Sequence, residues 1–136
     1  MQKIEHIGIA VNSLEEGEKL YTSLLGVSPY KRETVESEKV VTSFFRQGPN
    51  KIELLAPIGE DGPISKFLEK KGPGIHHIAY AVTDILSEMK RMEGEGFRLL
   101  NEVPKKGADN KLVVFLHPKT TNGVLIELCQ EIDLLK

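Results

Sequence analysis

The sequence predicts an α+β fold built from two copies of a βαβββ module. The strand-like stretch His-Ile-Gly-Ile-Ala-Val at residues 6–11 recurs as His-Ile-Ala-Tyr-Ala-Val at residues 77–82. Lys-Ile-Glu-Leu at residues 51–54 likewise recurs as Leu-Ile-Glu-Leu at residues 125–128. Because both the first and the last strand of a unit are repeated, the chain is interpreted as an internal duplication.

Length and composition fit one globular domain spanning residues 1–136. Hydrophobic residues make up 40% of the chain and charged residues 28%, which are ordinary values for a folded protein. The net charge of −2 gives no basic surface for nucleic acid, and no apolar run is long enough to cross a bilayer. The single cysteine excludes an intramolecular disulfide. We therefore expect a cytoplasmic protein with neither a nucleic-acid nor a membrane partner.

The first module begins with a strand over residues 3–11. Alternation separates an apolar face of this strand from a face that carries His6 and Gly8. Since the second face is small and polar, it is expected to line a cavity. A helix is predicted from a cap at Ser13 to a stop at Gly26. Further extended segments are predicted over residues 27–35, 40–45 and 51–55.

A linker rich in proline and glycine, about residues 58–73, follows module one, about residues 1–57. Within it, Pro63 to Lys71 is predicted to form a short helix, because proline suits the first position of a helix. Module two then occupies about residues 74–130. The two modules are expected to form one domain.

The second module repeats the order of the first. A strand over residues 75–82 leads into a helix that starts at a cap on Thr83 or Asp84 and ends at Gly96. The later segments are predicted as strands over residues 97–103, 111–116 and 124–129, with a flexible loop over residues 104–110.

Each module carries a histidine on its first strand and a glutamate on its last: His6 and Glu53, then His77 and Glu127. Taken singly, such residues are most often structural or solvated. Four of them at matched positions of a duplicated unit instead favour a site. Two imidazoles and two carboxylates suit a divalent transition metal, with Zn, Ni, Co or Fe favoured by imidazole and Mn by carboxylate. No cysteine joins the set, so a structural zinc site is not expected.

Three other residues have the chemistry of a site but no counterpart in the other module. His76 faces away from His77 and is interpreted as structural or as support for a ligand. His117 lies at a strand end. Cys129 shares a strand face with Glu127 and is interpreted as a small wall residue, since no base is placed to activate its thiol.

These motifs resemble the vicinal oxygen chelate superfamily and, within it, the methylmalonyl-CoA epimerases. The resemblance covers nearly the whole chain, and His-Pro-Lys before the Gly-Val-Leu-Ile-Glu strand favours the epimerases over glyoxalase I. Its most telling stretches are residues 6–11, 52–57, 74–79, 115–119 and 123–128. The resemblance implies a cup-shaped mixed sheet with helices on the outside.

The resemblance also implies a ligand set and a reaction. By position, one divalent ion per site is held by His6, Glu53, His77 and Glu127, with Co²⁺ first and Ni²⁺, Mn²⁺ or Zn²⁺ as alternatives. The implied reaction interconverts the C2 epimers of methylmalonyl-CoA through a metal-stabilised enolate, in a homodimer. Glu127 is the implied catalytic acid/base.

Epimerisation needs a second acid/base group on the other side of the planar enolate. Some members of the family carry a second glutamate at the place where this chain has Thr42. A threonine hydroxyl is too weak a base for that role. Glu53 or a water molecule takes it instead, or the alignment shifts at this strand.

Three alternatives share the fold. Glyoxalase I uses the same ligand arrangement for another proton abstraction beside a carbonyl group. A dioxygenase normally keeps two histidines and one carboxylate, so the fourth candidate, Glu53, counts against it. A metal-free binding protein tends to lose the ligands, whereas this chain has all four.

Overall fold

A computed structural model of the chain describes residues 1–132. Its strands are β1 (Lys3–Ala10), β2 (Lys31–Val35), β3 (Val40–Gln47), β4 (Asn50–Pro57), β5 (Gly74–Ala81), β6 (Lys105–Lys106), β7 (Lys111–Leu116) and β8 (Ile126–Glu131). Its α-helices are α1 (Leu14–Leu25), α2 (Pro63–Lys71) and α3 (Ile85–Gly94). The order β1-α1-β2-β3-β4 recurs as β5-α3-β6-β7-β8, which confirms the predicted α+β class and the repeated βαβββ order. No helix within residues 1–132 has the length and apolar character needed to span a membrane.

The chain divides into two compact units. The N-terminal unit comprises residues 6–76, and the C-terminal unit comprises residues 1–5 with residue 77 onward. The linker at about residues 58–73 and the module limits on either side of it stay predictions. Each unit contains four neighbouring strands and its own apolar core.

The strands of the N-terminal unit follow the order β2-β3-β4-β1. β1 runs parallel to β4, whereas β3 is antiparallel to both β2 and β4, so the sheet is mixed. Helix α1 covers one face of it, where Leu14, Phe45 and Leu54 are buried together. Helix α2 covers part of the other face through Ile64, which packs with Ala10, Val40 and Leu55.

Local sequence explains the limits of α1. The Ser13 hydroxyl accepts a hydrogen bond from the backbone N–H of Glu16 at 3.2 Å, which satisfies an otherwise unpaired donor of the first turn. Gly26 ends the helix with φ of 75°, a conformation that costs glycine least. The predicted cap and stop are both confirmed.

The strands of the C-terminal unit follow the order β5-β8-β7-β6, with β5 parallel to β8. Helix α3 covers one face through Ile85, Met89 and Met92, which pack against Val114 and Leu128. The sheet face that carries His77 therefore lies on the side away from α3, as the alternation of β5 predicts.

The start of α3 is fixed by two side chains. Of the two predicted caps, Asp84 is the one used: its carboxylate accepts from the N–H of Ser87 at 3.2 Å. The buried Gln130 amide oxygen accepts from the N–H of Ile85 at 2.7 Å. Gln130 lies on β8, so this second bond ties the helix to the strand that carries Glu127.

One predicted strand was wrong. Residues 97–103 form no strand and meet β7 only at the isolated bridge between Leu99 and Leu116. The short strand β6 lies instead within residues 104–110, which were predicted to be a flexible loop. The reason is packing: Phe97 and Leu99 are held by the core of α3 and β7, and the next extended pairing begins only at Lys105.

Candidate metal centre

His6 and Glu53 form a buried pair in the N-terminal unit. The Nδ1 atom of His6 lies 3.1 Å from the Oε2 atom of Glu53, and each side chain is 5% exposed. The two residues come together because β1 and β4 are parallel and place Gly8 beside Glu53. A larger residue than glycine would bring a side chain next to this carboxylate.

His77 and Glu127 form the equivalent pair in the C-terminal unit. The Nε2 atom of His77 lies 3.3 Å from the Oε1 atom of Glu127, and both side chains are buried. The parallel pairing of β5 with β8 places Ala79 beside Glu127. In His77 the Nε2 atom faces the carboxylate, whereas in His6 the Nδ1 atom does so. The two pairs therefore match in their strand positions but differ in the imidazole nitrogen that faces the glutamate.

A phenylalanine flanks each glutamate on its other side. Phe44 pairs with Glu53 across β3 and β4, and Phe115 pairs with Glu127 across β7 and β8. The ring of Phe115 also meets the imidazole of His77 edge-on, with centroids 5.9 Å apart. Each carboxylate thus sits between a small residue and an aromatic ring, which limits the water around it.

The donor atoms fit a divalent metal ion. Two ligands bound at about 2.1 Å to one ion are about 3.0–3.4 Å apart at octahedral or tetrahedral angles. The His–Glu distances of 3.1 and 3.3 Å fall in that range. Hydrogen bonds have similar lengths, so the argument for a metal ion also uses the burial and the type of the donor groups. A buried carboxylate beside an imidazole is a favourable position for a cation.

The strand beside Glu53 offers no second carboxylate at the expected place. Thr42 lies on the same sheet face, is 1% exposed and pairs with Leu55 on β4. Glu33 on β2 pairs with Thr42 and shares that face. It is half-buried and lies one strand farther from Glu53. Of the residues that share this face on β2, β3 and β4, Glu53 is a buried carboxylate, whereas Glu33 is only half-buried.

The three remaining candidates have structural surroundings. His76 is edge-on to Phe67 with centroids 5.0 Å apart, and burial, aided by the Lys71 charge, lowers the pKa of its imidazole to about 4. His117 accepts a hydrogen bond at Nδ1 from the backbone N–H of Lys119 at 3.1 Å. The thiol of buried Cys129 contacts the carbonyl oxygen of Tyr80 at 3.6 Å.

Sequence reasoning overlooked Lys111. This lysine is 5% exposed and lies at the start of β7, on the face that carries Phe115 and, across β8, Glu127. The alternation Lys111-Leu-Val113-Val-Phe115 could have identified it, because it places a charge on an otherwise inward-facing row.

A model of the glyoxalase/bleomycin resistance protein/dioxygenase superfamily matches residues 5–115. The chain belongs to this superfamily. The match covers both His–Glu strands of the N-terminal unit and the first strand of the C-terminal unit. The repeated modules and their mixed sheets are the α+β fold of this superfamily, as predicted.

Individual members of the superfamily are similar over nearly the whole chain. A Cereibacter sphaeroides protein named ethylmalonyl-CoA/methylmalonyl-CoA epimerase is 46% identical, with 94% of this chain and 97% of the relative covered. The crystal structure of methylmalonyl-CoA epimerase from Mycobacterium tuberculosis is 34% identical, with a TM-score of 0.90 over 95% of this chain and 87% of that one. A Streptomyces coelicolor methylmalonyl-CoA epimerase variant, in complex with 2-nitronate-propionyl-CoA, is 30% identical, with a TM-score of 0.92 over 98% and 97%.

Proposed function

We propose that this protein is a metal-dependent methylmalonyl-CoA epimerase. The observation that carries the proposal is the 46% identity to an epimerase over almost the full length of both chains. The paired His–Glu arrangement supports it, because removal of a proton beside a thioester needs buried groups that accept protons and stabilise charge.

The proposed ligands are His6, Glu53, His77 and Glu127, acting together on one ion. Each unit supplies one imidazole and one carboxylate, and a Co²⁺, Ni²⁺, Mn²⁺ or Zn²⁺ ion prefers four or more such donors. When bound, the ion would act as a Lewis acid that stabilises negative charge on the substrate oxygens. Cobalt is the first choice among these metals.

Glu127 is the proposed base for one epimer. Its carboxylate would take the C2 proton and return it when the reaction runs backward. Ala79 leaves room beside it, and Phe115 shields its other side from water.

Glu53 is the proposed acid/base for the opposite epimer. It occupies in the N-terminal unit the place that Glu127 occupies in the C-terminal unit, between Gly8 and Phe44. Thr42 on the same face cannot carry the proton at neutral pH. The duplicated carboxylates would thus address the two faces of one planar enolate.

The direct test is proton exchange at C2. Methylmalonyl-CoA incubated with the cobalt-loaded protein in deuterated water should gain deuterium at C2 and should equilibrate its two epimers. Absence of both exchange and epimerisation would reject the proposal. The matching assay with methylglyoxal and glutathione separates this reaction from that of glyoxalase I.

The metal is tested separately by elemental analysis. His6→Ala and Glu127→Ala should each lower the bound metal per chain, because each removes one of four donors. Unchanged metal content in both variants would contradict the proposed ligand set. A control substitution at His117, whose imidazole serves a local turn, should leave the metal content unchanged.

The remaining proposals concern the state of the protein in the cell. We place it in the cytoplasm as a homodimer whose partner is a small acyl-CoA, with no nucleic-acid or membrane partner. The full-length similarity to an epimerase supports the acyl-CoA partner.

A further inference from the structure

His117 directly follows β7, on the sheet face that carries His77 and Glu127. Its backbone is still extended, with φ of −65° and ψ of 128°. Leu116 before it packs in the core beneath α3. Because side chains alternate along an extended chain, His117 shares the face of Phe115, which pairs with Glu127. The imidazole thus starts two residues, about 7 Å along the strand, from the row of Glu127.

The segment between α3 and β6 holds His117 in this position. The N–H of His117 donates to the carbonyl oxygen of Arg98 at 2.7 Å. The bridge between Leu99 and Leu116 lies directly beside this bond. The antiparallel pairing therefore continues past the limit of β7, and the backbone of His117 is fixed as part of the sheet.

The turn after His117 is closed by its own hydrogen bonds. The N–H of Lys119 donates to the Nδ1 atom of His117 at 3.1 Å, and the N–H of Thr120 donates to the His117 carbonyl oxygen at 2.9 Å. The N–H of Gly123 donates to the carbonyl oxygen of Pro118 at 2.8 Å. These bonds hold the imidazole ring in place before any ligand binds, which lowers the entropy lost on binding.

The hydrogen bond from Lys119 also fixes the position of the imidazole proton. Since Nδ1 accepts from a backbone N–H, the neutral ring carries its hydrogen on Nε2. Within residues 1–132 this Nε2–H has no acceptor, and His117 is half-buried, so the donor is accessible to a ligand. An asparagine or aspartate would cap the turn equally well. The cap alone therefore does not account for an imidazole here.

We propose that the Nε2–H of His117 binds the free carboxylate of the acyl group and so selects acyl thioesters that carry one. This inference rests on the proposed function. The free carboxylate is the only anionic group in the acyl part of methylmalonyl-CoA, and a hydrogen bond to an ionised acceptor is stronger than one to a neutral carbonyl. Residues 117–124 include one lysine and no acidic residue, so the local charge favours an anion.

The spacing along the strand suits a group beside the reacting carbon. Strand side chains lean along the strand, so an imidazole and one hydrogen bond of about 2.9 Å together span the two-residue offset from the Glu127 row. The free carboxylate is bonded directly to C2. It therefore comes within reach of His117 while C2 faces Glu127.

Two substitutions separate the two roles of the imidazole. In His117→Asn the amide oxygen can replace Nδ1 as the cap of the turn, but no donor reaches the place of Nε2. In His117→Gln the longer amide supplies a donor near the place of Nε2 and loses the cap. Stability to urea should therefore fall in His117→Gln, whereas carboxylate binding should fall in His117→Asn.

Carboxylate binding is measured by titration calorimetry on the cobalt-loaded protein with malonyl-CoA and with acetyl-CoA, which lacks the free carboxylate. The preference for malonyl-CoA should shrink about tenfold in His117→Asn, because a hydrogen bond to a charged group is lost. The affinity for acetyl-CoA should stay unchanged. Thr121→Val removes a hydroxyl of the same turn without altering the imidazole. It is the matched control and should keep the wild-type preference.

A measurement on the wild type covers the case in which a variant does not fold. In zinc-loaded protein whose histidines carry a nitrogen isotope label, malonyl-CoA should shift the Nε2 resonance of His117, and acetyl-CoA should leave it in place. Equal shifts with both ligands, or an unchanged malonyl-CoA preference in folded His117→Asn, would overturn the role of His117. Absence of C2 exchange in the wild type would overturn the proposed function instead, since the binding measurements do not depend on turnover.

Discussion

At the scale of single residues, the same environment is built twice. Glu53 lies between Gly8 and Phe44, and Glu127 lies between Ala79 and Phe115. A carboxylate in such a setting has few waters to stabilise its charge, so its imidazole neighbour or a metal ion must do so.

The proposed roles of the two glutamates, one for each epimer, give a stereochemical prediction. Glu53→Gln keeps an oxygen donor for the metal but cannot carry a proton, so epimerisation should fall at least about 100-fold. Deuterium exchange at C2 of one epimer should persist through Glu127. Mass spectrometry of each epimer separately measures this difference.

The control for this experiment is Thr42→Val, which keeps the size and burial of the side chain. It should retain epimerisation within a few-fold of the wild type. Full epimerisation by Glu53→Gln protein would contradict the role given to Glu53. Loss of metal from that variant would be seen independently by elemental analysis.

His76 gives a pH-dependent prediction. Its folded-state pKa of about 4 lies below the ordinary value of 6.5, so the unfolded chain binds the proton more readily. Stability should therefore fall as the pH drops from about 6.5 to 4, with a slope of at most about 1.4 kcal/mol per pH unit from this residue.

The comparison is urea unfolding of metal-free protein at several pH values. His76→Leu should flatten the dependence between pH 6.5 and 4, because the titrating group is gone. Equal slopes in the wild type and in His76→Leu would show that His76 does not titrate differently on folding.

At the scale of elements, periodicity and caps located both long helices and most strands. As predicted from the local sequence, Ser13 and Asp84 cap the starts of α1 and α3, and Gly26 ends α1. The strand prediction for residues 97–103 was wrong because the apolar alternation there resembles a strand, while the side chains pack against α3 and β7. Local pattern does not distinguish a paired strand from an extended chain packed on a core.

The hydrogen bond of Gln130 joins the start of α3 to the strand that carries Glu127, and it gives a prediction about stability. Gln130→Leu would leave the buried N–H of Ile85 without its acceptor, at a cost of about 1–3 kcal/mol. Denaturant unfolding measures this loss. Asp84→Ala, which removes the more exposed cap of the same helix, should cost about 1 kcal/mol and serves for comparison. Equal stability of Gln130→Leu and the wild type would show that the bond contributes nothing.

At the scale of the whole molecule, duplication accounts for the two buried His–Glu pairs, one in each unit. Under the proposed ligand set each unit would contribute two donors, which is too few for a transition metal on its own. The superfamily match and the full-length relatives extend over both units.

The oligomeric state is a prediction at this scale. A homodimer should sediment at about twice the 15.2 kDa mass of one chain. Sedimentation equilibrium at several protein concentrations measures it. A monomer at all concentrations would contradict the homodimer and would leave the proposed reaction untouched, since each chain holds a full set of four proposed ligands.

The sequence by itself determined the duplicated module order and the four residues at matched positions. These follow from local chemistry, because a strand alternates its side chains and a cap acts on its own helix. Tertiary structure decided which residues are neighbours across strands. Only the register places Gly8 beside Glu53, brings Gln130 to the start of α3, and buries Lys111 on the Glu127 face. Register depends on pairing between residues far apart in the chain, and that pairing is set by the packing of the whole sheet.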